Sequence, residues 1–388
     1  MFSRRHYFDY ASLTPIDPRV LREMDAYSTE TYANPSSWYC KGTAALKALN
    51  EARSRVAHFI HAHPDEIIFT SGGTESNNLA LLGSIESLHD AGREYRDMHV
   101  VVSAIEHSSV MEIASYLKKK GVIVEYVDVD GQGMVKLDDL KRKIKSNTVL
   151  VSIMTVNNEV GTIQPIQEIA KSMKYPLFHT DAAQAGYLEL NVEKMGVDLL
   201  TLDGSKVYGP RGIGALYIKR NTPIAPIIHG GGQEHGMRSG TENIPAIMGF
   251  ARALDLVSEG RIQEVARLTE LRSFLITELK KLGVVIHSEH VLTSPHIINI
   301  SIPGIHNEFF VLWMDARGIN CSTKSSCLRD EDESYVLRAM GVDGKTSIRL
   351  SLGRGTKKSH IKKLCKLVST FILTNNTAQL KFGHQNIK

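Results

Sequence analysis

The stretch Thr201-Leu-Asp-Gly-Ser-Lys-Val-Tyr-Gly-Pro-Arg-Gly-Ile-Gly214 lies between two apolar runs, residues 197–202 and 215–218. Such runs are typical of buried strands, and the turn between them holds Lys206 among glycines and a proline. A lysine confined in this way can lose its hydration, which favours the uncharged amine that attacks a carbonyl and forms a Schiff base. The alternative for Lys206 alone is a solvated lysine on a surface loop.

Composition limits the kind of protein. The chain has 388 residues, 42% of them apolar and 23% charged, which is typical of a soluble globular protein with one large domain and a smaller one. The net charge of +4 is small and spread out, so we predict neither a nucleic-acid nor a membrane partner. Residues 1–10 lack the apolar core of a signal peptide, and four cysteines do not make a disulfide framework. We therefore predict a cytoplasmic protein.

Apolar and amphipathic segments alternate in the first half of the chain. We predict strands at residues 67–70, 99–103, 122–127, 149–154, 177–180 and 199–202, with helices between most of them. This alternation indicates an α/β fold with a mostly parallel sheet that is covered on both faces. Sites in such sheets lie beyond the carboxyl ends of the strands. There we place Thr70, Ser103, Thr155, Asp181 and Lys206, around one crevice.

The second half of the chain predicts a smaller unit. Residues 244–258 and 262–282 have the pattern of two long helices, and strand signals follow at 296–302 and 347–352, with helices near Phe309 and Lys357. We predict a large cofactor-binding domain over residues 16–258 and a small α+β domain formed by residues 1–15 and 259–374. Residues 375–388 are predicted to be a loose polar tail.

Two segments could hold an anion and a ring nitrogen. The turn Ser71-Gly-Gly-Thr-Glu75 follows a strand, so its N–H groups and the Thr74 hydroxyl can hold a phosphate at a helix N-terminus; the alternative is a simple N-cap. Asp181, in His179-Thr-Asp-Ala-Ala-Gln184, can pair with a protonated pyridine nitrogen, or cap the next helix. With Lys206, these groups would complement pyridoxal phosphate (PLP).

Two further polar residues follow strands at the same rim. An imidazole at His107 could stack on a cofactor ring and exchange protons with a substrate, although a lone histidine is more often structural. Asn157, in Thr155-Val-Asn-Asn-Glu-Val-Gly161, offers an amide donor that is unremarkable alone. No metal site is predicted.

Together these motifs carry a family resemblance. The chain resembles the cysteine desulfurases, the NifS/IscS-like branch of the PLP-dependent class V aminotransferase superfamily, from its start to about residue 370. The motifs, in order, are Tyr10 to Pro18, Asn34-Pro-Ser-Ser37, Phe69-Thr-Ser-Gly-Gly-Thr-Glu-Ser76, Val156-Asn-Asn-Glu-Val-Gly161, His179-Thr-Asp-Ala-Ala-Gln184, Lys206-Val-Tyr-Gly-Pro210, Gly236-Met-Arg-Ser-Gly-Thr241 and Ser347-Ile-Arg-Leu-Ser-Leu-Gly-Arg354.

The resemblance implies a fold-type I homodimer with a seven-stranded sheet, and a role for each site residue. Lys206 would bind PLP in a Schiff base, Asp181 its ring nitrogen, and His107 would stack on the ring and move protons. The remaining implied ligands are Gln184 and Asn157 near the ring hydroxyl, Gly73, Thr74 and Ser205 at the phosphate, Thr241 reaching the phosphate from the other subunit, and Arg349, Asn157 and Asn34 at the substrate. Arg349 would clamp the substrate carboxylate, with Arg354 as the second choice.

Cys327 is the nucleophile that the resemblance implies, attacking the sulfur of the bound cysteine to leave a persulfide and alanine. It lies in the polar stretch Asn320-Cys-Ser-Thr-Lys-Ser-Ser-Cys-Leu328, where a thiol is accessible and where Lys324 and Arg329 favour the thiolate. Cys365, on an apolar helix face, is predicted to be buried. Cys321 is a packed residue at a strand end, or else a resolving thiol.

Three positions depart from the family pattern. Asp203-Gly-Ser205 stands before the lysine where a hydroxyl and a histidine are usual, so the carboxylate of Asp203 must turn away from a phosphate, be paired, or be protonated. A histidine usual after Asn34-Pro-Ser-Ser37 is missing, and Cys40 stands near that place. Residues 330–333 are acidic where the family is small and polar.

We predict a PLP-dependent L-cysteine desulfurase that passes the persulfide sulfur to an acceptor protein for iron-sulfur clusters or tRNA thiolation. One alternative is a selenocysteine lyase or another class V enzyme of elimination or transamination. The other is a non-catalytic sulfur-assembly scaffold, which only Asp203 and the missing histidines favour.

Overall fold

The computed structural model describes residues 5–173, 175–323 and 333–383, with side chains described as far as residue 375. The strands are β1 His6–Tyr7, β2 Ile67–Thr70, β3 His99–Ser103, β4 Ile123–Val127, β5 Thr148–Ser152, β6 Leu177–Asp181, β7 Leu199–Asp203, β8 Gly214–Ile218, β9 Val285–His287, β10 Ile297–Ser301, β11 Ile319–Asn320 and β12 Ser347–Ser351. The helices are α1 Pro18–Thr29, α2 Cys40–Phe59, α3 Gly73–Asp90, α4 Ser108–Lys119, α5 Leu137–Lys143, α6 Ile166–Lys171, α7 Val192–Met195, α8 Ile244–Lys280, α9 Asn307–Asp315, α10 Tyr335–Ala339 and α11 Lys358–Gly383.

A seven-stranded sheet forms the centre of the fold, in the order β2-β8-β7-β6-β5-β3-β4. The pairs from β7 to β4 are parallel, and β8 runs antiparallel to both of its neighbours. The predicted α/β class and the mostly parallel seven-stranded sheet are therefore confirmed. Because the parallel strands end at one edge, the loops after β3, β5, β6 and β7 meet there.

Helices cover both faces of this sheet, and side chains alternate between two apolar clusters. Val100 and Val102 of β3 pack with α3 and α4, whereas Val101 between them packs into the cluster that contains α2 and the first half of α8. This is the period of two that a strand imposes. Since both faces are buried, the strand sequences are continuously apolar rather than alternating.

A second unit contains the antiparallel sheet β12-β10-β9 and the parallel pair β1-β11. Its apolar cluster contains the second half of α8, α9 and α11, and also Phe8 from the start of the chain. The division at residues 258 and 259 stays a prediction.

Helix α8 differs from the two helices predicted for this region, because it runs unbroken for 37 residues. The gap between the predicted helices lies at Gly260, which keeps helical backbone. A glycine inside a helix costs only about 1 kcal/mol, less than the packing of the two apolar halves supplies. Helix α11 likewise continues past residue 375, where a loose tail was predicted, because its backbone meets no proline there. In the described part of the chain, no helix is long and apolar enough to span a membrane.

Candidate active site

A cavity of about 270 Å³ opens at the carboxyl ends of the parallel strands. Seven residues that sequence analysis assigned to a site line it: Gly73, Thr74, His107, Asp181, Gln184, Lys206 and Arg349. They come from both units of the fold, since Arg349 belongs to β12 and the others end or follow strands of the large sheet. Residues that sequence analysis did not assign also line it, among them Ser12, Ser109, Asn158 and Asp203.

Lys206 lies in a single 3-10 turn, Gly204–Lys206, directly after β7. A Cβ on Gly204 would lie 2.9 Å from the carbonyl oxygen of Pro210, so only glycine fits this turn. Thr14 fixes the turn further, because its N–H and its hydroxyl both donate to the carbonyl oxygen of Ser205, at 3.0 and 2.8 Å. The half-buried Lys206 amine donates to the carbonyl oxygen of Ser12. The backbone thus aims the amine into the cavity.

The carboxylate of Asp181 is buried and held on both oxygens. Oδ1 accepts the N–H of Ala183 at 2.9 Å, and Oδ2 accepts the side-chain amide of Asn77 at 2.8 Å. The first bond closes a local turn; the alternative of a helix cap is wrong, because the next helix begins only at Val192 and is capped by Asn191. The second comes from α3, and it leaves lone pairs on both oxygens for a further donor in the cavity.

A hydrogen-bond chain joins Asp181 to His107 and fixes the imidazole tautomer. The Asn77 amide also donates to Ser109 Oγ at 2.9 Å, and Ser109 Oγ lies 2.8 Å from His107 Nδ1. Because the N–H of Ser109 donates to that nitrogen as well, at 3.2 Å, Nδ1 is an acceptor and the ring proton of neutral His107 lies on Nε2. No sequence pattern indicated Asn77 or Ser109, although Asn77 lies one helical turn after the Gly73-Thr74 turn.

Glu106, next to His107, is a second carboxyl group behind the cavity. It is fully buried, where it accepts the N–H of Met154 at 2.8 Å and the hydroxyl of Ser103. Burial raises its pKa to about 8, and the negative charge of Asp181 adds to the rise. At neutral pH Glu106 is therefore mainly uncharged, and it does not repel the carboxylate of Asp181.

Gln184 is oriented by the second unit of the fold. Its amide nitrogen donates to the carbonyl oxygen of Ala11 at 2.8 Å, and its Oε1 lies 3.1 Å from Nε2 of His296. Burial lowers the pKa of His296 to about 3, so this imidazole is neutral and its Nε2–H donates to Gln184. The hydroxyl of Ser294 lies 2.6 Å from the other nitrogen. Nothing in the sequence pattern singled out His296, which lies 112 positions from Gln184.

Arg349 is almost fully buried and already holds two partners. Its Nη2 lies 2.9 Å from the carboxylate of Asp9, and its Nη1 donates to the carbonyl oxygen of Asn158 at 2.8 Å. Arg354 lies elsewhere: its guanidinium sits over the Tyr208 ring, 4.1 Å from the centroid, and pairs with Asp17 at 2.8 Å. Arg349 lines the cavity that contains Asp181 and His107, whereas Arg354 lines a second cavity, of about 350 Å³, in which Lys206 also takes part.

The carboxylate of Asp203, predicted to repel a phosphate, is hydrogen-bonded to groups close to it. Its Oδ1 accepts the N–H and the hydroxyl of Ser205 at 2.8 and 2.6 Å, and its Oδ2 accepts the N–H of Gly73 at 3.1 Å. Of the three outcomes expected for this carboxylate, the structure shows pairing. Gly73 and Ser205 are two of the residues predicted to hold a phosphate, so their donors are already engaged.

The remaining predicted site residues do not reach this cavity within one chain. The side-chain oxygen of Asn157 accepts the N–H groups of Glu159 and Val160, both at 2.9 Å, and its NH2 group donates to the carbonyl oxygen of Ile105. The neighbouring Asn158 lines the cavity instead. Thr70 and Ser103 end their strands as predicted, whereas β5 already ends at Ser152, three residues before Thr155. All three turn their hydroxyls to other buried side chains. Asn34 and Thr241 lie together in a separate surface depression.

The cysteines divide by environment. Cys327, with Lys324 and Arg329, lies outside the described residues. Cys365 is buried, as predicted, and burial raises its pKa to about 11. Cys321 is partly buried beside β11, and burial raises its pKa to about 12, so its thiol is a poor nucleophile. Cys40 is exposed.

The cavity has the donors and acceptors that a pyridine ring with an aldehyde requires. An amine, a carboxylate and an imidazole converge on it from Lys206, Asp181 and His107. In the described chain, Asn158 Oδ1 and Arg349 Nε, buried atoms of two residues that line the cavity, have no hydrogen-bond partner. Buried polar groups without partners are rare, and a polar ligand explains them. The residues present therefore fit PLP at its ring end.

Comparisons with known proteins point in the same direction. The model of the family "Aminotransferase class-V" matches residues 6–364. The chain is 42% identical over 367 residues to the cysteine desulfurase IscS of Dictyoglomus turgidum, covering 92% of each chain. It is 41% identical over 382 residues to the mitosomal cysteine desulfurase of Trachipleistophora hominis, covering 94% of this chain and 86% of that one. A solved structure of a NifS-like protein superposes with a TM-score of 0.88 at 36% identity, over 95% of this chain and all of that one.

Proposed function

The chain belongs to the class-V aminotransferases and, among them, to the cysteine desulfurases, and from that premise we propose that it converts L-cysteine to L-alanine and leaves a persulfide on Cys327. It is a PLP-dependent enzyme, like its relatives. The observation that supports the assignment is the single cavity in which Lys206, Asp181, His107 and Arg349 meet.

We assign the chemistry to these residues as follows. PLP, when bound, supplies the electron sink that stabilises negative charge on the substrate α-carbon. The amine of Lys206 would hold the cofactor and would serve as the base for the substrate α-proton. Asp181 would hold a proton on the ring nitrogen, and the bond from Asn77 fixes the direction of its carboxylate.

His107 and Arg349 position the substrate in this proposal. Since Nδ1 of His107 is engaged by Ser109, only its Nε2 is available to exchange a proton at the substrate. The guanidinium of Arg349 matches a carboxylate in geometry, and its Nε is without a partner in the described chain. The buried setting strengthens the attraction between this cation and the substrate anion.

Cys327 carries the sulfur step. Its thiolate attacks the sulfur atom of the bound substrate, the bond between Cβ and sulfur breaks, and a proton delivered to Cβ gives the methyl group of alanine. The sulfur stays on Cys327 as a persulfide, from which an acceptor protein of iron-sulfur cluster assembly or tRNA thiolation takes it. The support for Cys327 is its polar sequence surroundings, while the described cysteines Cys321 and Cys365 have raised pKa values.

We also propose a homodimer in the cytoplasm. Asn34 and Thr241 lie in a surface depression apart from the Lys206 cavity, and a two-fold partner could bring them to its own cavity. The described cysteines are free thiols, which suits a reducing compartment. The mitosomal relative makes an organelle the other destination to test, by fractionation of the cells that make the protein.

The deciding experiment combines a spectrum with a product assay. The purified protein should absorb in the visible through its bound cofactor and, with L-cysteine and a reductant, release sulfide and alanine in equal amounts. Cys327→Ala should keep the absorbance and lose sulfide release, whereas Cys40→Ala, which removes another thiol, should keep both. Lys206→Ala should lose the absorbance. Normal sulfide release from Cys327→Ala would rule out this nucleophile.

A further inference from the structure

A carboxylate lies at the end of the cavity where α3 begins. Oδ2 of Asp203 accepts the N–H of Gly73, the first residue of α3, at 3.1 Å. A Cβ on Gly73 would lie only 3.2 Å from this oxygen, so the carboxylate rests directly against the turn. The other oxygen, Oδ1, accepts both the N–H and the hydroxyl of Ser205, at 2.8 and 2.6 Å. Asp203 thus binds three donors from two separate segments.

These donors are the kind that a phosphate uses. The first N–H groups of a helix have no partner within the helix, and the helix dipole makes this end positive. In this chain Asp203 already supplies an anion to that end. Glu75 supplies another, because its carboxylate accepts the N–H of Ser71 at 2.9 Å and pairs with Arg238 at 3.0 Å. The lysine and the arginine in the described lining are Lys206, whose amine the proposed chemistry uses, and Arg349, which already pairs with Asp9.

We propose that Asp203 sets the affinity of this enzyme for the phosphate of PLP, as an internal anion that competes with it for the Gly73 N–H and the Ser205 hydroxyl. This inference rests on the proposed function and concerns only how the cofactor is retained. The ring end of PLP keeps its partners, Lys206 and Asp181, whereas the phosphate end meets a negative charge that repels it. The enzyme therefore holds PLP less tightly than the same cavity would without the carboxylate.

Comparison of PLP with pyridoxal isolates this effect, because pyridoxal has the same ring and aldehyde but no phosphate. Removing the carboxylate should strengthen the binding of PLP and leave the binding of pyridoxal unchanged. Asp203→Ser keeps a hydroxyl acceptor near Gly73, and Asp203→Asn keeps the shape of the side chain without its charge. Asp65→Ser is the matched control, since it removes an exposed carboxylate that pairs with Arg220 far from the cavity.

The experiment is equilibrium binding of PLP and of pyridoxal to the cofactor-free protein, followed by absorbance in a buffer without phosphate. We expect both Asp203 variants to bind PLP at least about fivefold more tightly than wild type, with pyridoxal binding unchanged, because one repulsive charge is gone. Asp65→Ser should change neither affinity. A smaller gain for PLP, a loss, or an equal change for both molecules would overturn the inference.

Thermal unfolding provides a second measurement on the same variants. Without cofactor, Asp203→Ser should unfold at a lower temperature than wild type, because the start of α3 loses its anion. With saturating PLP, Asp203→Ser should instead unfold at a higher temperature than wild type. A purely structural role of Asp203 would not produce this reversal. Failure of the order to reverse would contradict competition. If the wild-type chain binds neither PLP nor pyridoxal, the proposed function fails and the inference falls with it.

Discussion

At the scale of single residues, the two arginines of one strand and its following turn have different surroundings. Arg349 and Arg354 lie in the same sequence motif, and either could clamp a substrate carboxylate. The structure surrounds Arg349 with Asp9, Asn158 and the Lys206 cavity, whereas Arg354 stacks on Tyr208 and pairs with Asp17. Their roles remain proposals, and the geometry makes them separable.

Lysine at each position separates these roles. Arg349→Lys should raise KM for L-cysteine about tenfold or more, because an ammonium cannot bind a carboxylate through two parallel hydrogen bonds. The visible absorbance of the cofactor should persist in this variant. Arg354→Lys is the matched control, and steady-state kinetics should give it a nearly unchanged KM. The opposite pattern, with KM raised by Arg354→Lys alone, would move the substrate clamp to Arg354.

At the scale of elements, α8 connects the two apolar cores. Its first half packs into the cluster of the large sheet and its second half into the cluster of the smaller unit. Two of its glycines have opposite environments. A Cβ on Gly260 would meet no atom within 4 Å, whereas one on Gly249 would lie 2.6 Å from Cγ of Met24 and 3.2 Å from Cγ of Pro210.

Alanine at these two glycines should therefore have opposite effects on the free energy of unfolding. Gly260→Ala should stabilise the protein by about 0.5–1 kcal/mol, because alanine loses less backbone entropy than glycine in a helix. Gly249→Ala should destabilise it by about 1–3 kcal/mol, because Met24 must move to make room. Urea unfolding of both variants checks the signs. Destabilisation by Gly260→Ala would mean that α8 needs its flexibility there.

At the scale of the whole molecule, one surface has the character of an interface. The side chain of Trp38 is 100% exposed, and Tyr32 and Tyr39 are 64% and 58% exposed, which is unusual for aromatic residues. This group adjoins the depression that contains Asn34 and Thr241. A second copy of the chain that covered the aromatic group would bring both polar residues towards a partner, as the proposed homodimer requires.

Sedimentation tests this arrangement. The wild-type protein should sediment at twice the chain mass of 43.0 kDa. Trp38→Asp should weaken the dimer and release monomer on dilution, because a charge would be buried against the partner. Tyr175→Asp, at an aromatic residue that is 82% exposed elsewhere on the chain, should leave the dimer intact. A wild-type monomer, or a dimer insensitive to Trp38→Asp, would contradict the proposed interface.

Local sequence was sufficient for the large sheet. The strands around the sheet were predictable because both faces of the sheet are buried, so each strand is a short apolar run between turns. The turn around Lys206 was predictable as well, since its glycines fix the backbone whatever packs on it. Prediction from local sequence failed at α8, where two helices were predicted and one formed. The residues around Gly260 do not reveal whether distant packing contacts outweigh the cost of a glycine in the helix.

The sequence by itself thus determined the family, the sheet and most of the residues that face the cavity, because each of these depends on neighbours in the chain. Only the tertiary structure decided which asparagine faces the cavity, what orients His107 and Gln184, and where the carboxylate of Asp203 goes. Those answers rest on pairs such as Asn77 with Asp181, Gln184 with His296 and Gly73 with Asp203, which are more than 100 positions apart. Hydrogen bonds form between whichever groups the packing of the chain brings within about 3 Å, and no local pattern encodes that distance.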